Sequence, residues 1–333
     1  MAESQTHWII VGLETFFCPL PDFKLPAGHT CEFRDYDRTR PDQIAERIHD
    51  ADIVIMSILQ LTAEVLSAEV APRLKMISII ASGTDTVDLA ACRARRIVVA
   101  NTPHCNVTTV TEHVLAIYFA TRRSIMLTNS LTRAGDWVAK GSQQATMSGP
   151  DGKPPRTCRD ELVGIIGYGA IGKNIESTAR LLGMKTIVAG RKGAPAPEGR
   201  VPFDTVIRES SVLIVCLPRS PETLNLISGA EFDQMKPYGL LINVSRGGIV
   251  DEKALLSALR EGKIAGAGTD VYSQEPADSS NNVLLAPDTA DLNLVTTPHV
   301  AWYAEETFEN YSRTCRVNIA GFVTTRKPEH QVC

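Results

Sequence analysis

Short uninterrupted apolar runs alternate with amphipathic stretches along most of the chain, and this alternation predicts parallel strands covered by helices on both faces. In the first third, the runs at 8–11, 53–56, 76–80 and 97–100 predict buried strands. Between them Pro41 suits a first helical position ahead of 43–49, and Thr62 with Val65 and Leu66 fits a capped short helix. An apolar-periodic segment over 107–127 predicts a long helix, after which the glycines and prolines of 149–155 break regular structure. A second alternation follows, with strands expected at 162–166, 186–189, 212–217, 240–244, 264–269 and 294–297. The chain closes on a helix expected over 303–323, which is spare to the second sheet and is therefore assigned back to the first domain. The expected architecture is α/β, with two doubly wound parallel-sheet domains: a discontinuous one over 1–103 and 298–333, and a second over 104–297.

Size agrees, because 333 residues exceed the usual extent of one core. Hydrophobic residues at 44% and charged residues at 22% describe a globular chain. A net charge of -4 with no basic stripe gives no reason to expect nucleic acid or an anionic membrane as partner. The eight cysteines contain no Cys-x-x-Cys pair and no close Cys/His cluster, so neither a metal site nor disulfides are expected. The apolar run at 8–11 follows a polar 1–6 and is too short for a signal core, no run is long enough to span a bilayer, and 329–333 form no known address signal. A cytoplasmic location is the expectation.

The strand expected at 162–166 runs into Gly167-Tyr168-Gly169-Ala170-Ile171-Gly172, and helical spacing continues from Lys173 to Leu182. In that context the first glycine permits a tight turn, the second lets backbone approach a pyrophosphate, and the third lets helix pack on strand. A Rossmann dinucleotide-binding domain is predicted for 104–297. The next strand ends at Gly190-Arg191-Lys192, with no carboxylate for ribose hydroxyls and two cations where a 2′-phosphate would lie. NADP(H) is therefore expected to be preferred, with NAD(H) possible. Leu217 and Pro218, at the end of a further expected strand, complete the cofactor residues.

Chemically useful residues recur at expected strand ends. Arg246 lies beyond 240–244, where its planar fork can hold a carboxylate or polarise a carbonyl; Asp270 and Glu275 follow 264–269; and His299 follows 294–297. Taken singly, each has an ordinary explanation as a surface cation, a loop carboxylate or a packing histidine. Together with Ser82-Gly83-Thr84-Asp85, Asn101-Thr102-Pro103, Met235-Lys236-Pro237, Arg246-Gly247-Gly248 and Thr297-Pro298-His299, they resemble the D-2-hydroxyacid dehydrogenase family over nearly the whole chain. The phrases Arg133-Ala134-Gly135-Asp136-Trp137 and His299-Val300-Ala301-Trp302 look most like glycerate dehydrogenases that reduce hydroxypyruvate and glyoxylate. The resemblance implies a flavodoxin-like substrate domain, a catalytic trio of Arg246, Glu275 and His299, and a homodimer built on the helix beginning near Val107 and its following loop. It also implies backbone donors at Ser82 and Gly83 for the substrate carboxylate, and Asp270 at the nicotinamide carboxamide. Hydride transfer needs a proton for the developing alkoxide, and a histidine paired with a carboxylate is suited to give it.

Three other readings are carried. C-terminal-binding corepressors share the trio and a similar His-x-Ala-Trp-Tyr phrase, which would make the dinucleotide a regulator. Formate dehydrogenases fit poorly, since Glu275 stands where they resemble a glutamine. The apolar Ser57-Ile58-Leu59, with His104 and Trp302 as further candidates to border the pocket, could admit a bulkier aromatic 2-oxo acid, although Ile58 and Leu59 fit a core equally well. The lead Cys158-Arg159-Asp160-Glu161 departs from the family and is expected to be a surface change.

Overall fold

The computed structural model describes residues 6–18, 20 and 23–333, so all of the polar leader except Thr6 lies outside it. The chain divides into two compact units, Met1–Asn106 with Tyr303–Cys333, and Val107–Trp302. The borders fall a few residues beyond 103 and 297. One reason is that Asp270, just past a strand of the second unit, bonds the main chain at His299, Val300 and Ala301 and keeps that segment with it.

In the first unit β1 (Thr6–Gly12), β2 (His29–Asp35), β3 (Ile53–Met56), β4 (Met76–Ile79) and β5 (Val98–Ala100) form one parallel sheet in the order β2-β1-β3-β4-β5. That is the flavodoxin-like order. β3 and β4 are buried along their whole length, which is why they read as continuous apolar runs. β2 escapes that pattern because it is an edge strand with half-exposed residues. The final residues also add to this sheet: Val332 N–H donates to Val99 O at 2.7 Å, and Val99 N–H donates to Cys333 O at 2.9 Å, covering the far edge. The expected short helix at 62–66 is instead a series of turns. Thr62 O takes the Leu66 N–H at 2.9 Å, but no regular ladder follows.

The second unit holds β6 (Leu162–Ile166), β7 (Lys185–Val188), β8 (Val212–Val215), β9 (Leu240–Asn243), β10 (Gly266–Thr269) and β11 (Leu294–Thr296), all parallel, in the order β11-β10-β9-β8-β6-β7. Alternate residues of β8 enter different cores. Val212 and Ile214 pack with the helices Val107–Arg122 and Ala170–Leu181, whereas Leu213 and Val215 pack with Phe203–Glu209 and Glu252–Arg260. The helix expected over 107–127 ends at Arg122. Ser124 takes a left-handed φ of 46°, and a second helix, Ile125–Arg133, starts after it. Glu161 is not part of a surface change. It is buried, with Oε1 2.6 Å from Arg122 Nε, and Arg122 in turn donates to Tyr238 O and Ser211 O at 2.9 and 3.1 Å. Among the described residues no helix is long and apolar enough to cross a membrane, and no cluster of metal-ligating side chains occurs.

Candidate active site

The dinucleotide turn leaves the carboxyl end of β6, an interior strand between β8 and β7, where open α/β sheets bind ligands. Gly167 sits at φ +98°, and a Cβ there would come 2.5 Å from Cys216 O. Gly169 has nothing within 4 Å of its would-be Cβ, leaving open space for a phosphate above the turn. A Cβ on Gly172 would collide with Gly167 O, so only glycine lets the helix Ala170–Leu181 start this close to the strand. No side chain caps that helix at Gly169, and its first N–H groups, including those of Ala170 and Ile171, are in position for an anion. The Tyr168 hydroxyl donates to Glu176 and its ring lies under Arg200. These residues fit a dinucleotide. Cys216 adds a support invisible in the sequence: its Sγ–H donates to Gly167 O at 3.1 Å, and burial pushes the thiol up to about 12, so it remains a donor. Leu217 packs on the core beside the turn and Pro218 is exposed.

At the end of β7, Gly190 N–H donates to Val201 O at 2.7 Å, and a Cβ on Gly190 would press on Ala196 at 3.1 Å. A ribose-binding carboxylate has no easy place there. The two cations that follow differ. Both are exposed, but Lys192 Nζ is held by Leu226 O at 3.0 Å and Glu231 Oε1 at 2.8 Å.

Arg246, Glu275 and His299 come from loops after β9, β10 and β11, three adjacent strands in register through Thr269, Asn243 and Thr296. His299 Nδ1 lies 2.6 Å from Glu275 Oε2. An ionised carboxylate only accepts, so Nδ1 carries hydrogen and Nε2 is left to give or take a proton. Burial alone would push the Glu275 carboxyl up. The hydrogen bond and charge of His299, the Tyr272 N–H at 2.9 Å and the Arg246 charge outweigh it and hold the carboxyl below its ordinary value. Arg246 anchors one arm on Ser245 O at 2.8 Å, and Asn243 Nδ2 donates to Arg246 O at 3.1 Å. The next residue, Gly247, is stacked on the opposite loop, since a Cβ there would fall inside the Tyr272 carbonyl. Glu275 precedes a cis proline, Pro276.

His299 stands at a left-handed φ of 54°, a conformation that surrounding bonds must enforce. Asp270 supplies most of them. Its main-chain O accepts from His299 N at 2.8 Å, Oδ1 accepts from Thr297 Oγ1 at 2.6 Å and Val300 N at 3.0 Å, and Oδ2 accepts from Ala301 N at 2.9 Å. Burial would raise the Asp270 carboxyl, but these donors with His113 bring it below its ordinary value. Trp302 Nε1 donates to His299 O at 2.8 Å from the far side of the turn.

Ser82 and Gly83 belong to the first unit, beyond β4, where their N–H groups have no partner among the described residues. In the same unit Glu14 Oε2 accepts the N–H groups of Ser57, Ile58 and Leu59 at 2.8, 2.9 and 3.2 Å. Leu59 joins the core, while Ile58 is 56% exposed and His104 is exposed at φ 65°.

Residues 115–301 match the family described as D-isomer specific 2-hydroxyacid dehydrogenase, NAD binding domain. The chain is 37% identical over 325 residues to a glycerate dehydrogenase of Methylorubrum extorquens, covering 97% of this chain and 98% of that one. It is 31% identical over 287 residues to a glyoxylate reductase of Pyrococcus furiosus, covering 84% and 82%. The crystal structure of an NADPH-dependent glyoxylate/hydroxypyruvate reductase from Sinorhizobium meliloti superposes with a TM-score of 0.76 at 25% identity, covering 98% of this chain and 97% of that one. With this extent of agreement, and with the glycine turn beside strand-end arginine, glutamate and histidine, the chain belongs to the D-isomer-specific 2-hydroxyacid dehydrogenase family of oxidoreductases.

Proposed function

We propose that the protein reduces a small 2-oxo acid of the hydroxypyruvate or glyoxylate kind to the D-2-hydroxy acid, preferring NADPH to NADH. The observation that carries this reading is the 2.6 Å His299–Glu275 pair, which fixes Nε2 as the proton-bearing edge, with Arg246 on the adjacent strand end. The nicotinamide, when bound, supplies a hydride to the keto carbon. His299 gives the proton from Nε2 to the keto oxygen, and Glu275 stabilises the charged imidazole before transfer. Arg246 polarises that oxygen and draws in the carboxylate. The Ser82 and Gly83 N–H groups are our candidates for the other carboxylate bonds. The relatives named glycerate dehydrogenase and glyoxylate reductase support the substrate class.

Because Lys192 is already engaged, Arg191 is assigned to the 2′-phosphate. Initial rates with glyoxylate, hydroxypyruvate, pyruvate and phenylpyruvate, each with both cofactors, test the whole reading. The expected kcat/KM advantage for NADPH is about tenfold or more, the worth of one charge-assisted contact, and Arg191→Ala should bring it near parity. An advantage for NADH in the wild type would overturn the cofactor assignment. Faster turnover of phenylpyruvate than of hydroxypyruvate would move the substrate class to bulkier acids, for which exposed Ile58 is suited.

The protein is further proposed to act as a homodimer. Ile125, Met126, Trp137 and Val138, 48 to 92% exposed on the helices Ile125–Arg133 and Asp136–Lys140, are the apolar side chains that dimerisation would cover. Sedimentation should give twice the chain mass, and a monomer at micromolar concentration would remove the proposal.

A further inference from the structure

The reaction scheme leaves a histidine beside its machinery unused. His113, on the helix Val107–Arg122, has a side chain only 21% exposed. Its Nε2 lies 3.0 Å from Thr297 Oγ1 and 3.6 Å from Asp270 Oδ1. The directions of these bonds can be assigned. Thr297 Oγ1 is 2.6 Å from Asp270 Oδ1, and a carboxylate accepts, so the hydroxyl proton points to Asp270. The hydroxyl must then accept from the imidazole, and Nε2 carries hydrogen. A directed chain results, from His113 to Thr297 to Asp270, ending at the carboxylate that also takes the Val300 and Ala301 N–H groups around His299. His299 occupies a backbone conformation that a non-glycine residue keeps only when its surroundings over-determine it.

We propose that His113 is a positioning residue for the reduction: by donating from Nε2 it fixes the Thr297 hydroxyl on Asp270, and through Asp270 it holds the turn that presents His299. This rests on the reading of His299 as the proton donor. A role confined to packing would need the shape of the ring and not its N–H. Proper placement of the reacting groups, unlike ground-state binding, shows mainly in kcat.

The test uses the full chain, an active 2-oxo acid, H113L, H113Q and T297V, with NADPH affinity measured by fluorescence and folding by melting temperature. H113L and T297V should each lower kcat by about tenfold or more, with substrate KM and NADPH Kd within about twofold of wild type. H113Q, which restores an N–H donor, should recover most of the loss, and the H113L/T297V double variant should be no worse than either alone, as for two members of one chain of bonds. Equal activity of H113Q and H113L, wild-type kcat in a folded H113L, or a loss residing wholly in NADPH affinity would each overturn the proposal. If H113L does not fold, T297V decides in the same terms. A wild type that turns over no 2-oxo acid would overturn the reductase reading and this proposal together, whereas turnover indifferent to both donor deletions removes only the role of His113.

Discussion

Substituting His299 by asparagine should lower kcat for 2-oxo acid reduction by about 10²–10⁴-fold, the usual worth of a positioned general acid. Asparagine is the informative choice because it tolerates the left-handed φ of 54° at this position, so the turn is preserved while the proton donor is lost. NADPH binding should stay within about twofold of wild type, since the lost interaction belongs to the transition state. Turnover close to wild type would remove His299 from its assigned role. Loss of cofactor affinity in parallel with kcat would instead show that the substitution had disturbed the glycine turn or the loop around it.

At Arg246 the expected result is a fall of about 10²–10³-fold in kcat/KM for Arg246→Ala, and almost no recovery in Arg246→Lys. A lysine keeps the charge but replaces a planar fork by a single hydrated ammonium. Arg246 has one arm fixed on Ser245 O, a bond that sets the plane of the guanidinium and that a lysine side chain cannot reproduce in the same geometry. Steady-state kinetics of both variants check this. A lysine variant within about twofold of wild type would mean that Arg246 contributes charge alone.

The parts of this molecule that could be read from its sequence are those whose physics is local. β3, β4, β6, β8 and β9 are buried on both faces and leave unbroken apolar runs. β2 lies at an edge with half-wetted side chains and leaves none. The break at Ser124 carries no glycine or proline, and apolar spacing continues across it, so the two helices read as one. Arg246, Glu275 and His299 stand just past strand ends, and it was their order along the chain, matching a family pattern, that singled them out from ordinary loop residues. Contacts between positions distant in the chain were not legible. His113 and Thr297 are 184 positions apart, and Lys192, one of the two cations expected at a 2′-phosphate, is held by Glu231 and Leu226 O. Glu161 and Arg122 form a buried ion pair that no spacing rule connects, and its cost of desolvation is met by Ser211 and Tyr238.

The stacking of Gly247 on the Tyr272 carbonyl bears on how such a protein can diverge. At Gly247 the loops that carry Arg246 and Glu275 meet main chain against main chain, with no side chain interposed. A side chain of any size at Gly247 would therefore push those two loops apart. Divergence in specificity has to come from other positions, with this one held as glycine.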